Sequence, residues 1–342
     1  MTNNKKIEKN MLRERAKKLP EVTEEMWLKV NEDYRLLVEE YISSQSHSPK
    51  TKIQYKSVLR QFGWFIFDSL NNKPLYKIKK RDFIRYLSYL RDDRRMSSSA
   101  QAIRKATVSS LCNYIENIVA EDDDNYENFR NFTRGLPAIP KNVVYEKEKI
   151  TYDEYQKMME VLEDDENYLG MAWLATSFNV GSRRSETIQF KTEILEYDFP
   201  EDATFIYSHN VRLKGSGVDG KIEPYMINRE AIKYMKLWVE KRGYDHEYIF
   251  TTKHNGEYKQ MDSSWANYFC SNVLSYILGR RINPHLYKSS CITFLLESGV
   301  PIELVSKYIA HHEQISTTIQ HYDLRTFDEE RNNIFGNTNK TN

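Results

Sequence analysis

A mainly α chain of two domains, with a small antiparallel β-sheet in the second, is the fold class this sequence predicts. Three observations carry it. Apolar residues recur at spacings of three and four along most of the chain, the period of helices with one buried face. Two short β-prone runs, 204–207 and 225–227, flank a glycine-rich turn, the pattern of a hairpin-like ladder. The stretch 134–150 carries two prolines, a glycine and mixed charge, which reads as a linker. At 342 residues, 40% of them apolar, the chain can fill two cores of ordinary size.

The elements follow in order. Residues 1–30 are an N-terminal basic extension with Lys5, Lys6, Lys9, Arg13, Arg15, Lys17 and Lys18, a mobile tail or loosely held helix. A helical stripe starts near Glu24 and runs through Trp27, Val30, Tyr34, Leu37, Val38 and Tyr41. Ser48 and Pro49 open a second helix through Tyr55, Leu59, Phe62 and Ile66. Further helices are expected over 80–92, on Phe83, Tyr86, Leu87 and Leu90, and over 97–120, on Ile103, Thr107, Leu111 and Ile115. Residues 31–133 thus form a helical bundle. After the linker, Thr151 and Glu154 have capping-box spacing, which starts the second domain, 151–335. Asn283–Pro284 and Gly299 bracket a later helix.

The net charge of +1 conceals an asymmetry. Residues 41–120 hold fifteen Lys and Arg against five Asp and Glu, a net +10, and the remainder sums to −9. A basic bundle is the footprint of a nucleic-acid binder, although a solvated lysine-rich face is the plainer alternative. The three cysteines, Cys112, Cys270 and Cys291, form no CxxC pair, which argues against a disulfide framework or zinc site and for a reducing, cytoplasmic setting. No apolar run reaches membrane-spanning length.

The chemistry-bearing residues lie in the second domain. Gly181, Arg183 and Glu186 make one group, with the carboxylate a helical turn from the guanidinium. His285 and Lys288 are spaced to share a helix face. His311, His312, His321 and Tyr322 form the densest cluster. Each group alone has an ordinary structural reading, as a surface ion pair or polar helix face. Together they hold what side-chain cleavage of a phosphodiester needs. A hydroxyl attacks, fixed cations meet the charge on the non-bridging oxygens, and acid–base groups move the two protons. Zinc is disfavoured, because the histidine spacings match no common ligand pattern and no cysteine cooperates.

That joint arrangement resembles the tyrosine recombinase (phage integrase) family over about residues 30–330. Gly181-x-Arg183-x-x-Glu186 resembles its first arginine box, and His285-x-x-Lys288 its His-x-x-Arg box. The run from Ile309-Ala310-His311-His312 through Thr317-Thr318 to Tyr322 resembles its third. The resemblance implies a helical, SAM-like core DNA-binding domain and a mixed α/β catalytic domain. It implies that Tyr322 attacks the scissile phosphate and leaves a 3′-phosphotyrosine, that Arg183 and Lys288 bind the non-bridging oxygens, and that His285 assists proton movement. Lys214 matches the strand-turn lysine that protonates the 5′ oxygen, with Lys221 a second candidate. A histidine of the 311–312 pair donates to the phosphate; spacing from Thr317-Thr318 favours His312. No metal or cofactor is implied.

Lys288 departs from the pattern, since a lysine keeps the charge of arginine and loses its bidentate fork. In the bundle Lys50, Lys52, Arg104 and Lys105 near helix starts are the expected phosphate contacts, with Arg94 and Arg95 as alternatives. The implied partners are double-stranded DNA with an inverted-repeat site and a homotetramer on two duplexes, in the cytoplasm on the nucleoid and on no membrane. Phe327, Ile334 and Phe335 are expected to dock on an adjacent subunit or to pack in cis. The expected function is site-specific recombination for integration, excision or inversion of a DNA segment. The alternatives are Xer-like dimer resolution, a catalytically weakened DNA-binding regulator and a type IB topoisomerase.

Overall fold

In a computed structural model the described residues are 19, 21–140, 148–215 and 220–326. Phe327, Ile334, Phe335 and residues 1–18 and 20 of the basic extension, with all seven of its named lysines and arginines, lie outside them. The described residues fall into two compact units, one built on residues 21–140 and the other on 148–214 with 221–326.

The first unit is helical. Helices α1 (Glu24–Lys29) and α2 (Glu32–Ser44) split the first expected stripe in two. The break comes at Asn31, whose side chain leaves the helix to accept the Tyr34 N–H at 3.1 Å and so caps α2. Residues 24–29, within the stretch read as an extension, bury Trp27 in the bundle. Helix α3 (Pro49–Ser69) starts at the Ser48 cap with Pro49 in its first turn. Helices α4 (Lys80–Ser88) and α5 (Ser98–Tyr114) each end in a wider, π-type turn, Tyr89–Asp93 and Ile115–Val119.

The core of this unit is aromatic. The Phe62 ring lies 4.9–6.4 Å, centroid to centroid, from Tyr34, Phe83, Tyr86 and Phe132, the separations at which tilted and edge-on pairs attract. Gly63 lets α3 approach α2, since a Cβ there would stand 2.5 Å from the Tyr34 ring. Ile103, expected on the buried stripe, is 42% exposed. The buried stripe of α5 runs through Ser98, Gln101, Val108 and Leu111, and Ile103, two residues past Gln101, lies off it; Gln101 turns inward and bonds the Met96 carbonyl at 2.8 Å.

The second unit is built around α7 (Tyr168–Val180), apolar on every side and buried accordingly. Helices α6 (Tyr152–Asp164), α9 (Arg229–Lys241) and α11 (Pro284–Glu297) pack against it, and short α8 (Arg184–Thr187) follows it. The expected capping box forms: Glu154 N–H donates to Thr151 at 3.2 Å, and Thr151 N–H to Glu154 at 3.1 Å. Both ends of the linker stretch are tied within their own units. Arg134 pairs with Glu116, and Ile150 N–H donates to buried Ser290 Oγ at 2.8 Å.

Strands β1 (Phe205–Tyr207) and β4 (Met226–Asn228) pair antiparallel, with Ile206 opposite Ile227, as the β-prone runs indicated. Inside that ladder lies one the sequence did not suggest, β2 (Val211–Leu213) with β3 (Lys221–Glu223). A third pair, β5 (Thr251–His254) with β6 (Glu257–Gln260), forms an exposed hairpin. Further on, α10 (Ser264–Phe269) precedes α11, and α12 (Ile315–His321) is the last described helix.

Candidate active site

The first cation is placed by the end of α7. Gly181 ends that helix at φ +65°, a left-handed conformation that disfavours side chains. The chain turns, and Arg183 becomes the cap of α8. Its backbone N–H donates to Glu186 Oε2 at 2.8 Å and its Nη1 to Oε1 at 2.9 Å. Glu186 is 1% exposed and also accepts the Tyr225 hydroxyl at 2.5 Å. Burial works to raise its pKa; the charges of Lys288 and Arg183 and the bonds from Tyr225 and the Arg183 backbone outweigh it and hold the carboxyl ionised. Burial likewise opposes the Arg183 charge, and the facing Glu186 and Tyr322 restore it.

Helix α11 supplies the next pair. Its Asn283 cap accepts the His285 N–H at 3.1 Å. His285 stands at the exposed end with its ring centroid 5.1 Å from that of Tyr322. One turn on, Lys288 has no exposed surface, and its Nζ lies 3.5 Å from the Ile309 carbonyl. Burial, reinforced by Arg183, pulls its pKa down to about 7, with Glu186 only partly compensating. Lysine at this position is therefore an ammonium on the edge of neutrality, which an arginine would not be.

The third group gathers before and along α12. His312 Nε2 is 3.5 Å from Arg183 Nη2, and its ring centroid is 4.6 Å from that of Tyr322. Its Nδ1 lies 2.8 Å from Thr318 Oγ1, which donates onward to Ser306 Oγ at 2.9 Å. With Thr318 donating away, Nδ1 carries the imidazole proton and Nε2 presents its lone pair to the guanidinium. Burial first, then the Lys288 and Arg183 charges, depress the His312 pKa to about 4, so the ring is neutral at pH 7. Tyr322 ends α12. It is 6% exposed, and its carbonyl accepts the Thr293 hydroxyl of α11 at 3.1 Å.

Arg183, His285 and His312, from stretches up to 139 residues from Tyr322 (183 to 322), thus gather about one phenol, and the buried Lys288 acts on Arg183 and His312 from behind them. The two hairpin lysines differ. Lys214 is exposed just past β2, whereas Lys221 lies within β3 and pairs with Glu223 at 2.8 Å. His311 takes the other Glu223 oxygen at 2.7 Å. Glu223, Tyr225 and Ser306 belong to the site and were not singled out from the sequence. Only Glu223 left a trace there, two residues from Lys221 and hence on the same strand face.

In the first unit Lys50 is exposed, and Lys52 reaches the Ser43 carbonyl at 3.5 Å. Arg104 is half-buried and bonds Ala100 O and Gln61 Oε1 at 3.1 and 3.3 Å. Lys105 Nζ bonds the carbonyls of Leu136 and Pro137 at 3.3 and 3.2 Å.

A helical unit followed by a unit that gathers arginine, histidine and tyrosine from distant boxes defines a class, the tyrosine-based site-specific recombinases. The chain belongs to the phage integrase family: residues 148–329 match that family, and residues 35–120 match its N-terminal SAM-like domain. It is 66% identical over 332 residues to the SPbeta prophage-derived recombinase-like protein YomM of Bacillus subtilis (strain 168), covering 97% of this chain and 99% of that one. It is 23% identical to the tyrosine recombinase XerA of Thermococcus onnurineus (strain NA1), over 82% of this chain and 86% of that one. Among solved structures, the Tn1549 transposon integrase in complex with transposon right end DNA shares its fold, with a TM-score of 0.63 at 16% identity, covering 88% of this chain and 98% of that one.

Proposed function

We propose that this recombinase cuts and rejoins double-stranded DNA through a 3′-phosphotyrosine on Tyr322. The observation that carries the reading is the packing of His312 and His285 against the Tyr322 ring, with Arg183 bonded to His312. In the forward step Tyr322 Oη forms a bond to phosphorus and its proton passes to His285. The bond from phosphorus to the 5′ oxygen breaks, and that oxygen takes a proton from a hairpin lysine. A 5′-hydroxyl attacking the phosphotyrosine reverses each transfer and reseals the strand.

Arg183, already oriented by Glu186, offers its fork to the non-bridging oxygens. A phosphate here counters the burial and the Lys288 and Arg183 charges that keep His312 neutral, so the ring gains a proton and donates from Nε2. The same anion keeps the Lys288 ammonium charged, and its field supports the phosphate from within the fold.

In this reading residues 31–133 are the core DNA-binding domain and 151–335 the catalytic domain with its exchange segment. Lys50 and Lys52, in the first turn of α3, are the bundle's best-placed phosphate contacts. Four protomers act on two duplexes with inverted-repeat sites, on chromosomal DNA in the cytoplasm. The likeness to a prophage-derived relative and to a transposon integrase favours integration, excision or inversion of a mobile segment.

The test is a nicked cognate duplex, which traps the covalent state. The wild type is expected to give a detergent-resistant protein–DNA adduct, and Tyr322→Phe to retain the gel shift while losing the adduct. A wild type that shifts the DNA and never forms adduct would instead be a DNA-binding regulator.

A further inference from the structure

Thr318 uses its hydroxyl differently from Thr107, Thr176 and Thr187. Each of those three donates back to the carbonyl four residues earlier, at 3.0, 2.7 and 3.2 Å, the ordinary outlet for such a donor inside a helix. Thr318 has no exposed surface and donates across the fold, to Ser306 Oγ at 2.9 Å. Its oxygen is left to accept, and His312 Nδ1 lies 2.8 Å from it. Ser306, in the π-type turn Val305–Ile309, is equally buried, so solvent does not compete for either hydroxyl. The Ser306 carbonyl also accepts the His312 backbone N–H at 3.0 Å. One residue therefore holds the ring of His312 and the other its main chain.

The main chain of Thr318 serves the nucleophile. Its carbonyl accepts the N–H groups of Tyr322 and Asp323, each at 3.0 Å. From the other side Thr293 of α11 donates to the Tyr322 carbonyl at 3.1 Å and accepts the Leu324 N–H at 3.0 Å. Loss of the Thr318 hydroxyl leaves all of these backbone bonds in place, so its effect on His312 is separable from support of Tyr322.

A neutral imidazole carries one proton on two nitrogens, and a guanidinium can only donate. His312 Nε2 lies 3.5 Å from Arg183 Nη2. A proton on Nε2 would set two N–H groups against each other; a proton on Nδ1 leaves a lone pair toward the arginine. What Nδ1 is offered selects between these forms. An accepting Thr318 oxygen keeps the proton on Nδ1. A Thr318 hydroxyl free to rotate could offer its hydrogen instead and send the proton to Nε2. Ser306 takes that hydrogen and so fixes the direction of the whole chain.

Building on the phosphotyrosine reading, we propose that Thr318 and Ser306 are positioning residues that hold His312 in the Nδ1–H form, with Nε2 open to the reaction centre. When a phosphate arrives, Nε2 takes up a proton and donates to a non-bridging oxygen. The Nδ1–H bond to Thr318 persists, and the ring keeps its orientation.

Two measurements test this. The first is a nitrogen–proton correlation spectrum of the full-length, DNA-free protein labelled at histidine, with the His312 signals identified by their loss in His312→Ala. Wild type and Thr318→Ser are expected in the Nδ1–H form, and Thr318→Val and Ser306→Ala shifted toward Nε2–H. A wild-type ring in the Nε2–H form, or a tautomer that survives both Thr318→Val and Ser306→Ala, overturns the proposal. The second is single-turnover adduct formation on a nicked duplex. Thr318→Val is expected to slow it about tenfold or more, and Thr318→Ser to recover most of that loss. Added to His312→Ala, Thr318→Val should slow it no further, because no ring is left to orient. Full additivity of the two changes would show that Thr318 serves Tyr322 alone and overturns the positioning of His312. A wild type that shows the Nδ1–H form and never yields adduct sinks the phosphotyrosine reading and leaves the tautomer assignment standing.

Discussion

Lys288 shows how one side chain couples stability to chemistry. Its folded pKa of about 7 lies below the ordinary lysine value because burial and Arg183 oppose the charge. Between pH 7 and the ordinary lysine range the unfolded chain holds a proton that the folded chain releases, so this group makes stability rise with pH; below pH 7 both states are protonated and the dependence ends. The buried thiols Cys112, Cys270 and Cys291, whose pKa values burial raises, act in the opposite sense at the upper end. The informative quantity is therefore the difference between wild type and Lys288→Met in urea midpoint from pH 7 to 8.5. The wild type should gain on the variant as pH rises. A constant difference would show that Lys288 is fully charged in the fold. Lys288→Arg should abolish the trend, since a guanidinium stays charged. At the same scale, His312→Ala should lower cleavage by about 100-fold, the cost of one donor on a developing oxyanion, with DNA affinity unchanged in a gel shift.

The elements hold these side chains in place through their ends as much as their faces. Gly181 allows the reversal between α7 and α8, and a Cβ there would meet Cys291 Sγ at 3.0 Å. Gly181→Ala should cost about 1–2 kcal/mol in denaturant unfolding and reduce cleavage beyond that, because Arg183 shifts with the turn. In the bundle, Phe62→Ala removes the ring at the centre of four aromatic contacts. It should cost about 3–5 kcal/mol, read as a drop in urea midpoint at constant slope. Element ends were also where sequence reasoning ran short. The stripe from Trp27 to Tyr41 is continuous in apolar period, yet Asn31 divides it by capping. The β2–β3 ladder spans three residues per strand, too few for alternation to stand out from chance.

At the scale of the molecule, the basic segment 41–120 should dominate DNA binding, and affinity should fall steeply with salt. Replacing Lys50 and Lys52 together by alanine should reduce the slope of log affinity against log salt by about 2, one per lost phosphate contact, with little change in site preference. A slope unchanged in a salt titration would move the contacts to other cations of the bundle. Arg104 and Lys105 were equally plausible from the sequence; their carbonyl and amide partners emerge only when α5 meets α3 and the 136–137 segment.

The sequence by itself determined the two-part helical organisation and the boxes around Arg183, His285 and Tyr322. Periodicity and short spacings are local, so the order of residues carries them without loss. Tertiary structure alone decided that Lys288 is buried and near neutrality, that His312 faces Arg183, and that Lys221 lies in a ladder and pairs with Glu223 while Lys214 is exposed past the end of β2. Burial, local field and strand register depend on which distant segments come together, and no spacing along the chain records that.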